Sequence, residues 1–141
     1  MSPRVLVTEE LAARGLDAMR AAGLEVDQRL GLTPDELRDA VRDAAALVIR
    51  SATRVDDALL AAAPELVVVG RAGIGLDNVD VAEATRRGVM VVNAPQSNVL
   101  SAAEHTIALM LAQARNIPQA HADLVAGSWN RSRWEGVELN G

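Results

Sequence analysis

Five short apolar runs, at residues 4–8, 24–28, 46–50, 66–70 and 89–93, alternate with stretches of helical spacing, and this alternation fixes the fold class. Each run is rich in valine, leucine or isoleucine and is bounded by turn or helix-start residues. Strands joined through roughly ten to fifteen helical residues take right-handed βαβ crossovers and form a parallel sheet with helices on both faces. Several helix starts are legible. Thr33-Pro34-Asp35-Glu36 offers an N-cap threonine, a proline at the first helical position and a glutamate at N3, and Asp80 with Glu83 and Ser101 with Glu104 repeat the capping pattern in outline. The acidic pairs Glu9/Glu10, Asp35/Glu36 and Asp56/Asp57 read as helix starts, where negative charge offsets the helix dipole, and not as metal ligands. The expected architecture is flavodoxin-like: a five-stranded parallel sheet with helices on both faces, followed by a long apolar helix and an interface arm.

Composition narrows the function classes. The chain has 141 residues, half of them apolar, enough for a real core. It contains no cysteine, which excludes disulfides and thiolate metal sites. All 14 basic residues are arginine, so no lysine nucleophile or Schiff base exists. The net charge of −5 disfavours nucleic acid, and no apolar run reaches membrane-spanning length. A cytoplasmic protein is the expectation.

The character changes after residue 97, which divides the chain into a flavodoxin-like part (1–97) and a helical part (98–141). Residues 101–116 read as one helix that is apolar nearly all round, with Ile107 and Leu111 among its large side chains. Such a helix must be buried on most sides, and with five strands already accounted for its partner is another domain or subunit; an ordinary core helix of the same domain is the alternative. A second helix over 119–126 leads to Gly127-Ser128-Trp129-Asn130-Arg131-Ser132-Arg133-Trp134, which holds both tryptophans. Tryptophan beside arginine is typical of interface anchors, and Trp129 is assigned to an interface arm.

At the carboxyl edge of the sheet, where ligands of open α/β folds bind, three side chains line up: Arg50 after the third strand, Arg71 after the fourth and Asn93 at the end of the fifth. Two guanidiniums grip carboxylate or phosphate groups bidentately, and an amide holds a hydroxyl or a further oxygen. Ser51 and the backbone N–H groups around Gly73 add donors, and Gly73 and Gly75 let the chain bend closely there. A surface ion pair is the alternative for each arginine. Arg54 lies past a turn and reads as solvated. The segment from Gly73 to Asn78 begins like a dinucleotide fingerprint, but Asn78 stands where the third glycine belongs, so no cofactor site is assigned. His105 reads as packed or interfacial and His121 as exposed; no catalytic triad and no metal site is proposed.

The segments VIRSAT (48–53), VVVGRAGIGLDNVDVAEATRRGVMVVNAP (67–95), SNVLSAAEHTIAL (97–109) and ARNIPQA (114–120) resemble the N-terminal part of the D-3-phosphoglycerate dehydrogenases, within the D-2-hydroxyacid dehydrogenase family. The resemblance covers essentially the whole chain. It implies that Arg50 and Arg71 bind the negative groups of the substrate 3-phosphoglycerate and that Asn93 sits at the lip of the same cleft. It further implies that the 101–116 helix crosses toward a nucleotide-binding domain and builds a homodimer or higher oligomer, with Trp129 reaching toward the neighbouring subunit. Gln96-Ser97 departs from the glycine pair or Asn-Gly of many relatives. NAD is the cofactor so implied, yet its glycine fingerprint and the catalytic arginine, glutamate and histidine of the family lie past residue 141. The expectation is therefore the substrate-binding part of an NAD-dependent enzyme of L-serine biosynthesis, catalytically incomplete as given. A glyoxylate or hydroxypyruvate reductase, or an interaction module pairing with full-length subunits, are the alternatives.

Overall fold

A computed structural model describes residues 2–140. The chain divides into two compact units, Met1–Ser97 and Asn98–Gly141. In the first, strands β1 (Arg4–Val7), β2 (Glu25–Gln28), β3 (Ala46–Ile49), β4 (Val68–Arg71) and β5 (Met90–Asn93) alternate with helices α1 (Ala13–Ala21), α2 (Pro34–Ala40), α3 (Asp57–Ala61) and α4 (Val81–Arg86). The strands form one parallel sheet in the order β2-β1-β3-β4-β5, the flavodoxin-like arrangement that the alternation predicts.

The pleat sorts the apolar runs onto two faces. Leu6, Leu47 and Val69 are register neighbours, all fully buried, and they pack with Ile49 against Ala40 of α2, Leu59 and Leu60 of α3 and Ala84 of α4. Val5 and Val7 point the other way, toward Leu16 of α1, with Ala46 and Val48 beside them. Farther along that second face the edge strand leaves Met90 and Val92 exposed.

Capping follows the sequence at α2, where Thr33 and Glu36 form a reciprocal box, and at α3 and α4, where the carboxylates of Asp56 and Asp80 accept from the N–H groups of Leu59 and Glu83. The Glu83 carboxylate does not reach back to its N-cap; it is buried and pairs with Arg86 and Arg87. Arg4 closes the amino edge, donating to the carbonyl of Ala40 at 2.9 Å and to Asp27 at 2.7 Å. That bond to Arg4, reinforced by Arg29, outweighs partial burial and holds the Asp27 carboxyl below its ordinary range.

Three expectations need correction. Glu9 and Glu10 do not lie in a first helical turn, because α1 begins only at Ala13. Arg71 belongs to β4 instead of following it, since pairing with Ile49 on one side and Asn93 on the other carries the strand one residue further. Ser101 is no N-cap: α5 (Val99–Ala114) starts at Asn98, which makes no side-chain cap bond.

In the second unit α5 is followed by α6 (Ile117–Val125). Asn116 turns the chain between them in the left-handed region at φ 51°, and its amide donates to the carbonyl of Glu135 at 2.9 Å. Pro118 falls in the first turn of α6, where its missing N–H costs nothing, so α6 begins earlier than the spacing suggests. The tail returns to α5 through Val137 N–H and the carbonyl of Ala114, 2.9 Å apart, and a Cβ at Gly136 would meet that carbonyl at 2.5 Å. No helix of the described residues is long and apolar enough to cross a membrane.

Because Leu47 is sealed between two neighbouring strands and the α2–α4 layer, Leu47→Ala is expected to lower the unfolding free energy by about 2–5 kcal/mol at unchanged denaturant slope. Urea titration monitored by circular dichroism measures it.

Candidate anion-binding site at the carboxyl edge of the sheet

Parallel register brings the ends of β1, β3, β4 and β5 to one edge. Ile49, Arg71 and Asn93 are neighbours across three strands, and Arg50 follows immediately after Ile49. Arg71 is half-buried, and its guanidinium folds over Gly73, where a Cβ would collide with it. Neither Gly73 nor Gly75 has positive φ. What the absent side chain of Gly73 makes room for is therefore the arginine itself. The Asn93 amide donates to the carbonyl of Ile74 at 2.7 Å, and Ala94 N–H donates to the carbonyl of Gly73 at 3.0 Å, which pins the glycine turn to β5. Arg71, Gly73 and Asn93 thus form one group, in which Arg71 Nε is buried without a hydrogen-bond partner among the described residues.

Arg50 is exposed, as is Ser51. Arg50 lines a cavity of about 670 Å³ with Thr8, Arg38, Thr53 and Arg54. Arg71 does not line it. The two candidate arginines share the edge of the sheet but not this cavity. Among the described residues no carboxylate pairs with Arg50, Arg54 or Arg71, whereas Arg38 is paired with Asp35.

The 50–53 segment is held from both sides. Glu9 accepts the backbone N–H groups of Arg50 (2.8 Å), Ala52 (3.1 Å) and Thr53 (2.9 Å). Asn78 Nδ2 donates to the carbonyls of Arg50 (2.8 Å) and Thr53 (2.6 Å). The hydroxyls of Thr8 and Thr53 share a hydrogen bond of 2.8 Å. Partial burial pushes the Glu9 carboxyl upward, but the three backbone N–H groups and the Thr53 side chain outweigh it, and the group titrates below the ordinary glutamate range. Neither role was assigned from the sequence. In the sequence Asn78 stands out only as the residue that breaks the dinucleotide fingerprint.

In the second unit no residue of α5 is buried: Ile107 is 52% and Leu111 45% exposed. His105 and His121 are exposed. Trp129 is 75% exposed, while Trp134 is anchored by donating Nε1 to Asp123 at 2.7 Å under the Arg133 guanidinium.

Residues 5–133 match the family model of the D-isomer specific 2-hydroxyacid dehydrogenase catalytic domain. The chain belongs to this family. It is 48% identical over 138 residues to the D-3-phosphoglycerate dehydrogenase of Archaeoglobus fulgidus and 52% identical over 141 residues to that of Mycobacterium tuberculosis. Each alignment covers at least 98% of this chain and 26% of the relative, so the chain spans about a quarter of the length of these proteins. Among solved structures, the TT0316 protein of Thermus thermophilus superposes with a TM-score of 0.88 at 34% identity, over 98% of this chain and 46% of that one. The NADPH-dependent glyoxylate/hydroxypyruvate reductase of Sinorhizobium meliloti, in complex with NADP and malonate, superposes with a TM-score of 0.76 at 29% identity, over 100% of this chain and 44% of that one.

The family uses a nicotinamide cofactor, but the glycine turn after β4 does not fit one. The start of α4 is occupied by the Asp80 carboxylate, which repels a pyrophosphate, and the Asn78 amide is engaged with two carbonyls. No step is assigned to a cofactor at this turn.

Glu9 titrates lower folded than unfolded, so its stabilisation is complete above the ordinary glutamate pKa and is lost as the pH falls through the depressed value. Unfolding measured from about pH 6 to about pH 3 should lose less stability on acidification in Glu9→Gln than in wild type, with Asp27 and Glu36 contributing equally to both. Identical acid limbs would remove the carboxylate from this role.

Proposed function

We propose that this chain is the substrate-binding part of an NAD-dependent 3-phosphoglycerate dehydrogenase, which oxidises 3-phosphoglycerate to 3-phosphohydroxypyruvate on the way to L-serine. The observation that carries this reading is the pair Arg50 and Arg71, set at the ligand-binding edge of a parallel sheet with no carboxylate partner among the described residues. A guanidinium left unpaired beside a glycine turn is available to an external anion. The substrate carries two anionic groups, a carboxylate and a phosphate, which suits two arginines at the ends of adjacent strands. The Ser51 hydroxyl adds a donor. Asn93, whose amide N–H is spent on the turn, offers its carbonyl oxygen to a substrate hydroxyl.

Bound NAD supplies the hydride acceptor for such an oxidation. The residues of this chain hold and orient the acid; no proton transfer is assigned to them. The names of the relatives at 48–52% identity support 3-phosphoglycerate over glyoxylate or hydroxypyruvate.

We further assign α5 and Trp129 to an interface that pairs two copies. Ile107 and Leu111 lie one turn apart on a helix with no buried residue, and an exposed apolar stripe of this kind is a self-association surface.

Calorimetric titration with 3-phosphoglycerate is expected to show Arg71→Ala losing at least one charge-assisted contact, about 1.5–3 kcal/mol, or roughly tenfold or more in affinity. Unchanged affinity removes Arg71 from the site. In sedimentation, wild type is expected to run as a dimer or larger and Ile107→Glu to shift toward monomer; equal behaviour of the two as monomers refutes the pairing surface.

A further inference from the structure

Beyond the ends of β3 and β4 the chain is organised by two side chains that no ligand needs to touch. The 50–53 segment presents three N–H groups to Glu9 and two carbonyls to Asn78, so five of its backbone polar groups are taken by side chains from other loops. Asn78 belongs to the segment that starts with Arg71 and the glycine turn. Its own carbonyl accepts Val55 N–H at 2.8 Å, and Asp80 N–H donates to the carbonyl of Val55 at 2.8 Å, making a parallel bridge between Val55 and Val79, both buried. The orientation of the amide follows from its partners, since two carbonyls admit only the NH2 end. Its Oδ1 is left buried with no partner among the described residues. An asparagine that leaves its own acceptor unsatisfied is placed there for its donors.

We propose that Asn78 and Glu9 are positioning residues that fasten the Arg50 segment to the Arg71 turn, so that the two arginines of the anion site are set as one unit. This rests on the anion-site reading given above. The connection is continuous: Glu9 from the β1 loop, the 50–53 segment after β3, Asn78 from the β4 loop, and the Asn93 amide on Ile74 from β5. None of these bonds belongs to the sheet ladder. What they determine is where the Arg50 backbone stands relative to the glycine turn. A ligand that spans two anionic groups is sensitive to that placement in a way that overall stability is not.

Asn78→Asp tests it, because the side chain keeps its size, loses both donors and sets an acceptor against the carbonyls of Arg50 and Thr53. With the isotopically labelled chain, wild type titrated with 3-phosphoglycerate is expected to shift the amide signals of 50–53 and 72–74 along one isotherm. In folded Asn78→Asp the two segments should respond separately, with affinity about tenfold weaker or more. Inorganic phosphate, which carries a single anionic group, should bind the two proteins alike. Hydrogen exchange should accelerate at Arg50, Ala52 and Thr53 in Glu9→Ala and less so in Glu9→Gln, whose Oε1 still reaches Arg50 and Thr53. If Asn78→Asp does not fold, Glu9→Ala, which removes all three acceptors of the 50–53 N–H groups, carries the same titration. Variants that bind 3-phosphoglycerate as wild type does, along one isotherm, overturn the positioning role and leave the anion site standing. A wild-type chain in which neither segment responds overturns both.

Discussion

The parallel register of β1, β3, β4 and β5 is the constraint from which the candidate site follows. Leu6, Leu47 and Val69 lie side by side in the core, and two residues further along Ile49, Arg71 and Asn93 lie side by side at the edge. The same alignment that buries the first row, and Ile49 with it, brings Arg71 and Asn93 to the edge. A slip of one residue in β4 would move Val69 to the opposite face and carry Arg71 with it, so hydrophobic burial of the strand interior fixes the placement of the charged residue at its end. Because right-handed crossovers deliver every strand in the same direction, the loops after β1, β3, β4 and β5 become neighbours although they are far apart in sequence.

Fold and site were not equally legible. The strands and their order could be read because period, length and turn residues are local signals, and the Thr33 box could be read because its partners are three residues apart. Glu9 could not. A carboxylate shortly before a helix looks like a dipole partner, and only the folded chain shows that it accepts N–H groups 41–44 residues away. Asn78 meets its carbonyls across 25 and 28 residues, and in sequence it registered only as a missing glycine. Gly73 was legible as a close approach, but the sequence does not say what approaches. The answer is the neighbouring arginine, whose guanidinium lies where a Cβ would stand on a chain that bends there without positive φ.

The electrostatics of the edge are local. The chain is acidic as a whole, and most arginines of the first unit outside the edge are matched: Arg4 with Asp27 and Asp43, Arg29 with Asp27, Arg38 with Asp35, Arg87 with Glu83 and Asp57. Glu9, the acid nearest the 50–53 segment, spends its charge on backbone N–H groups and not on a guanidinium. Its negative charge is thereby absorbed by amide dipoles, and the positive charges of Arg50 and Arg54 are not cancelled by an ion pair. A carboxylate whose lone pairs are filled by the main chain can thus sit beside arginines without neutralising them.

The shape of α5 bears on how many surfaces the helical unit must satisfy. At about 100° per residue, Leu100, Ile107 and Leu111 fall on one stripe, while Leu109 lies about 200° from Ile107, on the opposite side. All four are exposed. A single flat partner could cover one of these stripes but not both. An apolar surface that runs round the whole circumference of α5 sets it apart from an amphipathic helix, which keeps one polar face for water.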